Sequence, residues 1–474
     1  MKSTILSVKL VNEELSTLSE SIYDIVILGA GSGGYATALR AAQLGMTVAL
    51  IDGDKVGGTC LHRGCIPTKA YLHAAETAEA VRESAKFGVN STFNGIDMAQ
   101  VGAYRDSVIS GLYKGLRGLL KSRKVELISG WGHLADANTI EVGGQRITGR
   151  NIVLATGSYS RSIPGLDIGG RIISSDQALQ MNWVPSSVVI LGGGVIGLEF
   201  ASVWRSFGAE VTIIEALPHL ANNEDEAISK QLERAYRKRG IKFHTNTRFA
   251  SATQSEQGVH VATEDGKTFD ADVLLVAVGR GPVTEGLGYE QVGITLDRGF
   301  VITNDRLHTG VGNIYAVGDI VPGLQLAHRG FMQGIFVAEE IAGLNPTMQA
   351  DIDIPRVTFC EPEIASVGMT EKQAREKYGD QVRTVEYNLA GNGKSSILAT
   401  SGLIKLVSVE GGPIVGFHGI GARIGEQIGE GELMVNWEAY PSDVASLIHA
   451  HPSQNESLGE AAMALAGKPL HVHN

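Results

Sequence analysis

The chain has 474 residues, room for roughly three domains of about 150 residues each, so a single small core is excluded. Hydrophobic residues make up 43% and charged residues 19%, which excludes bulk disorder, and a net charge of −11 with only short basic clusters such as Arg237-Lys238-Arg239 argues against a nucleic-acid partner. Gly is the outlier, 60 residues with neither a collagen period nor a low-complexity block, a usage that serves turns and close backbone contact with ligands.

Residues 1–20 hold no apolar signal core and no Arg-rich amphipathic pattern, so they predict neither a secretory nor an organellar address. The longest apolar run, Val273 to Val278, has strand length, far below the roughly 18 residues of a spanning helix. The expectation is a cytoplasmic protein with no membrane segment. Three cysteines, Cys60, Cys65 and Cys360, are too few for a secreted disulfide scaffold.

Residues 25–52 align without a gap with residues 188–215 at an offset of 163, with ten identical positions. Each copy reads as a buried strand, a Gly-x-Gly-x-x-Gly turn (Gly29, Gly31, Gly34; Gly192, Gly194, Gly197), a helix, and a second strand ending on an acid, Asp52 or Glu215. The first glycine makes the tight turn, the second admits a pyrophosphate to the backbone, and the third packs helix on strand. The helix start supplies N–H groups and positive dipole to phosphates. One such turn is weak evidence; two complete units, each closing on an acid 23 residues after its first glycine, predict two dinucleotide sites. In an oxidoreductase these are usually a flavin and a nicotinamide. A carboxylate at the strand end would repel a 2′-phosphate by roughly 4 kcal/mol at 4 Å and an effective dielectric of about 20, so Glu215 predicts NAD over NADP.

After the first unit comes Gly57-Gly58-Thr59-Cys60-Leu61-His62-Arg63-Gly64-Cys65-Ile66-Pro67-Thr68-Lys69, leading into a helical stretch. Two cysteines five apart on a regular helix would have Cα atoms about 8.6 Å apart, beyond the disulfide limit of about 7 Å. Cys60 is therefore expected in a distorted first turn, where the helix's positive end lowers a thiol pKa. A structural zinc site and a pair of inert buried thiols compete with a redox-active disulfide. Zinc lacks a second Cys pair or a nearby His pair, and the two dinucleotide units favour the disulfide. Cys360, isolated after a predicted strand, reads as a core residue.

These motifs together resemble the pyridine nucleotide–disulfide oxidoreductases, and among them the branch that oxidises dihydrolipoamide. The likeness runs from about residue 22 to the C-terminus and includes Ala155-Thr156-Gly157, Ala277-Val278-Gly279-Arg280, Ala316-Val317-Gly318-Asp319 and His449-Ala450-His451-Pro452. It implies an α/β fold of two Rossmann-like dinucleotide-binding domains, for FAD and NAD, plus a C-terminal α+β dimerisation domain. The expected divisions are 1–156 with 281–350 for FAD, 157–280 for NAD and 351–474 for the dimer interface.

The resemblance also implies roles. Cys60 and Cys65 would form the redox disulfide, His451 would be the base and Glu456 its orienter. Asp319 would bind the ribityl chain. Lys69 and Glu199 would pair beside the isoalloxazine, against the competing reading of a solvated surface pair. Thr156, Gly157, Gly279, Arg280 and Ala327 complete the expected cofactor contacts. The stretch His451-Pro452-Ser453-Gln454-Asn455-Glu456 departs from the family's His-Pro-Thr-x-Ser-Glu at Ser453 and Asn455, neither a proton-transfer group. Asp52 stands for the usual Glu, His62 for Asn and Thr68 for Ser; His471 and His473 read as incidental. The implied reaction oxidises protein-bound dihydrolipoamide with NAD. The implied partners are a second copy of the chain and the lipoyl-bearing acyltransferase of 2-oxo acid dehydrogenase complexes or another lipoyl protein. Glu215 argues against NADPH-dependent glutathione-type reductases, and the lack of an extra C-terminal Cys pair against mercuric reductase. A flavin-carrying structural subunit without turnover is disfavoured by the intact Cys60, Cys65, His451 and Glu456 set.

Overall fold

Ile25-Val26-Ile27-Leu28 is an uninterrupted apolar run, and it forms the buried end of the strand Tyr23–Leu28, as a central parallel strand covered on both faces requires. In the computed structural model, which describes residues 22–471, this strand pairs in parallel with Val48–Asp52 on one side and Gln145–Leu154 on the other. The readings of residues 1–20 and of His473 lie outside the described residues. The parallel order continues through Glu126–Ser129 beside Val48–Asp52 and Ile314–Ala316 beside Gln145–Leu154. The first half of Gln145–Leu154 instead turns antiparallel to Thr139–Val142, which pairs with Gly132–Asp136.

The contacts resolve into two compact units. One gathers the chain up to His62 with Gly111–Tyr159 and Gly281–Met348, and contains the sheet just described. Its helix Ser32–Gln43 buries small residues, Gly33, Thr37, Ala38 and Ala41 among them, at helical spacing. Helix Ala327–Ile341 crosses it at close range: a Cβ on Gly334 would stand 2.4 Å from the Gly33 carbonyl oxygen.

The other unit comprises Arg63–Ser110, Ser160–Arg280 and the chain from Gln349. It holds a five-stranded parallel sheet in the order Lys242–His244, Glu210–Ile214, Ser187–Leu191, Val273–Val276, Ile172–Ile173. It also holds an antiparallel sheet in the order Arg356–Thr358, Glu363–Gly368, Ile414–Gly421, Leu403–Val409, Val382–Asn388, with helices Ile424–Asn436 and Glu456–Leu465 packed on it. The expected fold class is therefore the observed one. No described helix is long and apolar enough to cross a membrane.

A buried ion cluster ties this second unit together. Lys405 Nζ lies 2.9 Å from Asp225 Oδ1 and 2.6 Å from Glu371 Oε2, with Lys405 and Asp225 both buried. Asp225 also caps helix Glu226–Lys238 and accepts the Glu371 N–H at 2.9 Å. Burial alone would raise the Asp225 carboxyl, but Lys405 and the Glu371 N–H outweigh it and hold it below its ordinary value. Its contribution to stability is thus present above the ordinary carboxylate range and lost as pH falls through the depressed value. Lys405→Met is expected to cost about 3–5 kcal/mol, the penalty of leaving a buried charge without its partner, measured as the shift in denaturant midpoint of the holoprotein at neutral pH.

Candidate active site

The sequence repeat is also a repeat of contacts. Gly29 (φ +101°) and Gly192 (φ +112°) are left-handed, and a Cβ on them would stand 2.2 Å from the Ala155 carbonyl oxygen and 2.4 Å from that of Ala277. A Cβ on Gly34 would meet the Gly29 carbonyl oxygen at 1.8 Å, and one on Gly197 the Gly192 oxygen at 2.1 Å. Gly31 and Gly194 face open space, with nothing within 4 Å of where a Cβ would be. Helices Ser32–Gln43 and Val195–Phe207 start at these open glycines with no side-chain cap, the kind of helix start that suits an anionic group.

The two acids are held alike. Asp52 accepts Ala30 N–H at 2.6 Å and Asp54 N–H at 2.8 Å; Glu215 accepts Gly193 N–H at 2.6 Å and Leu217 N–H at 2.7 Å. One backbone bond per oxygen orients each carboxylate and leaves lone pairs for ribose hydroxyls. The shorter Asp52 makes the same pair of bonds as Glu215. Both cradles fit a dinucleotide.

Further candidates lie around the first cradle. Thr156 Oγ1 donates to the Val283 carbonyl at 2.5 Å beside the buried Tyr289 hydroxyl at 3.1 Å, and Gly157 is left-handed. Asp319 accepts from Ser158 Oγ at 2.5 Å, and Ala327 opens a helix without a side-chain cap. In the second unit Gly279 is left-handed and Arg280 donates to Ser160 Oγ at 3.2 Å. Trp131, which the sequence reading passed over, lies with its exposed indole against Gly53: a Cβ there would stand 2.3 Å from Cδ2. A large aromatic between Gly130 and Gly132, directly after a parallel strand, was the available signal.

Cys60 is not in the first turn of the long helix. It belongs to a separate five-residue helix, Gly58–His62, and the chain breaks at Arg63-Gly64 before helix Cys65–Glu83 begins. The regular-helix spacing argument is met by this break rather than by distortion. Cys65 is therefore the thiol at the helix's positive end, behind a Gly64 that provides no side-chain cap. Both sulfur-bearing residues are half-buried, while Cys360 is buried with Sγ 3.1 Å from the Pro362 carbonyl oxygen. Burial pushes the Cys360 thiol far up, consistent with a core residue.

One turn beyond Cys65, Lys69 Nζ lies 2.8 and 3.0 Å from the Glu199 carboxylate oxygens. Glu199 is 4% exposed and Lys69 32%, so this is not a solvated surface pair. Glu199 also accepts the Phe359 N–H at 3.0 Å, and the Phe359 ring lies 4.7 Å beneath the ammonium.

His451 is 79% exposed, with Nδ1 2.7 Å from Glu456 Oε1, and it precedes a cis peptide bond to Pro452. The second Glu456 oxygen accepts Ser453 N–H at 2.7 Å. Burial alone would raise the Glu456 carboxyl, but the Ser453 N–H and the His451 ring outweigh it and hold it below the usual value. A carboxylate beside Nδ1 favours the ring form that carries its proton there. Of the two departures from the family motif, Asn455 donates from Nδ2 to Glu430 at 2.6 Å, whereas the Ser453 hydroxyl is buried with no hydrogen-bond partner among the described residues and only its carbonyl is engaged, by Asn392 Nδ2 at 2.9 Å. His62 Nε2 lies 2.9 Å from the Val56 carbonyl oxygen, Thr68 donates to the Gly64 carbonyl, and His471 pairs with Glu460 at 2.8 Å.

Residues 23–334 match the pyridine nucleotide-disulphide oxidoreductase family and residues 354–462 its dimerisation domain. The chain is 37% identical to a dihydrolipoyl dehydrogenase of Bacillus subtilis over 95% of this chain and 99% of that protein. It is 38% identical to the one from Geobacillus stearothermophilus over 95% of this chain and 97% of that protein. Among solved structures, LpdA from Mycobacterium tuberculosis superposes with a TM-score of 0.86 at 28% identity, covering 93% of this chain and 99% of that one. The HOCl-induced flavoprotein disulfide reductase RclA from Escherichia coli does so with a TM-score of 0.84 at 28% identity, covering 94% and 100%. With two dinucleotide cradles, the cysteine pair and matches along nearly its whole length, this chain belongs to the pyridine nucleotide-disulphide oxidoreductase family.

Proposed function

We propose that the protein oxidises dihydrolipoamide to lipoamide and reduces NAD to NADH, with FAD and the Cys60–Cys65 pair carrying the electrons. The observation that carries this reading is the His451–Glu456 dyad at 2.7 Å, a ready base for a thiol, in a chain with two dinucleotide cradles.

Nε2 of His451 takes the proton of one substrate thiol, and Glu456 stabilises the imidazolium that results. The substrate thiolate attacks Cys60: a bond forms between the two sulfurs, the Cys60–Cys65 bond breaks, and Cys65 leaves as a thiolate stabilised by the start of helix Cys65–Glu83. The second substrate thiol attacks the substrate sulfur of the mixed disulfide: a bond closes between the two substrate sulfurs, the bond to Cys60 breaks, lipoamide is released, and the thiol's proton goes to the departing Cys60 sulfur. Bound FAD supplies the passage of that electron pair from the thiols to NAD. Gly29, Gly31, Gly34, Asp52, Thr156, Gly157, Asp319 and Ala327 would hold it. Lys69, kept in place by buried Glu199, would set a positive charge beside the flavin ring, and Trp131 would wall its adenosine end. Gly192, Gly194, Gly197, Glu215, Gly279 and Arg280 would hold NAD.

The partners are part of the same proposal. Ile448, 99% exposed, with exposed Leu433, Trp437 and Leu447, gives the dimerisation domain an apolar surface for a second copy of the chain. A lipoyl-bearing acyltransferase of a 2-oxo acid dehydrogenase complex would deliver the dithiol, in the cytoplasm.

The test is steady-state turnover of dihydrolipoamide with NAD and with NADP. NAD is expected to be preferred by up to about a thousandfold, the factor equivalent to roughly 4 kcal/mol, and Glu215→Arg to weaken that preference. Equal use of NADP by the unaltered protein would contradict the assignment of Glu215.

A further inference from the structure

One carboxylate grips both ends of the segment that carries His451. Glu430, on helix Ile424–Asn436, has Oε1 2.7 Å from His449 Nε2 and accepts Asn455 Nδ2 on Oε2 at 2.6 Å. His449 precedes His451 by two residues, and Asn455 immediately precedes Glu456. The two bonds therefore bracket the dyad. The His449 ring is boxed from its other side, since a Cβ on Gly459 would stand 2.6 Å from Nδ1. That glycine lets helix Glu456–Leu465 pass directly against the imidazole.

The division of exposure fits a frame with a working group mounted on it. His449 is 12% exposed and Glu430 23%, whereas His451 is 79% exposed. A side chain so open to solvent has few packing contacts to fix it; Glu456 orients the ring and holds the Ser453 N–H, while the ends of the segment, at His449 and Asn455, are held by Glu430. Hydrogen bonds to a carboxylate are among the stronger available, and here both converge on Glu430. Asn455 stands at the start of helix Glu456–Leu465 without capping it; its amide serves Glu430 instead.

We infer that Glu430 is a positioning residue for the His451–Glu456 base, acting through His449 and Asn455. The inference rests on the reading of His451 as the base. Glu430 touches neither substrate nor cofactor in this role; it sets where Nε2 stands, and a misplacement of about 1 Å can cost up to a hundredfold in rate.

Glu430→Gln tests it, because the variant keeps the volume but turns an NH2 toward one of the two donors. With dihydrolipoamide and NAD, kcat is expected to fall about tenfold. NADH-dependent ferricyanide reduction, which uses both cofactors but no substrate thiol, should stay unchanged, as should FAD content and elution as a dimer. In a His451→Gln background, the same substitution should change the residual rate by less than about twofold, because its route of action is already gone. Asn455→Ala removes the other bond and enters the same cycle if Glu430→Gln fails to fold. Undiminished turnover, an equal loss with ferricyanide, or a further tenfold loss in the His451→Gln background would each overturn the inference. Full activity of His451→Gln alone would instead remove the base reading on which it rests.

Discussion

Replacing His451 with Gln is expected to lower dihydrolipoamide turnover by about 10²–10⁴-fold while FAD stays bound, the usual range for loss of a general base. Gln keeps a polar side chain of similar reach but cannot take the substrate proton, and Glu456 retains its bond from Ser453 N–H, so the loop keeps its local support. Ferricyanide reduction by NADH should be untouched. The same variant reports on the dimer. If the site combines Cys60 of one chain with His451 of the other, a heterodimer of Cys60→Ser and His451→Gln has one site with both lesions and one with none. About half the unaltered activity then returns. A heterodimer as inactive as its parents would refute the shared site.

Cys60→Ser and Cys65→Ser are each expected to abolish dihydrolipoamide oxidation, by at least about 10³-fold, because neither serine can close the disulfide through which the electron pair passes. Their roles should separate on reduction. Cys65 opens a nineteen-residue helix with an uncapped start, a setting that favours the thiolate and suits the leaving sulfur. Cys60, in the short preceding helix, is the sulfur assigned to substrate. Alkylation of the two-electron-reduced protein should label Cys60 predominantly; predominant labelling of Cys65 would reverse the assignment.

The dinucleotide cradles were legible in the sequence because their demands are local. Gly29 must be left-handed and Gly34 must meet a carbonyl at close range, needs that only glycine meets, and the same needs recur 163 residues on. The His451–Glu456 pair was legible through the motif alone, since five residues of sequence do not reveal a 2.7 Å bond. Other features had no local signature. Tyr71, Ala75 and Ala78 show that helix Cys65–Glu83 buries a face, but not that Tyr71 and Ala75 share a core with Leu198 and Ala201 of helix Val195–Phe207. The cysteine spacing alone places Cys60 in a distorted first turn of one helix; the backbone at Gly64 (φ −138°, ψ −109°) instead separates two helices, and Cys60 lies in the first. Glu430 is one of three acids along helix Ile424–Asn436, and only the folded chain shows that it faces His449 and Asn455.

Anaerobic half-reactions test the direction and path of electron flow. Purified protein with bound FAD, mixed with stoichiometric dihydrolipoamide in the absence of NAD, should become reduced and form lipoamide. Addition of NAD should then reoxidise it and release one NADH for each dihydrolipoamide consumed. The Cys60→Ser variant should fail the first step while still accepting electrons from NADH. If dihydrolipoamide leaves the bound flavin and both thiols unchanged, or if Cys60→Ser is reduced by it as fast as the unaltered protein, the proposed function is contradicted.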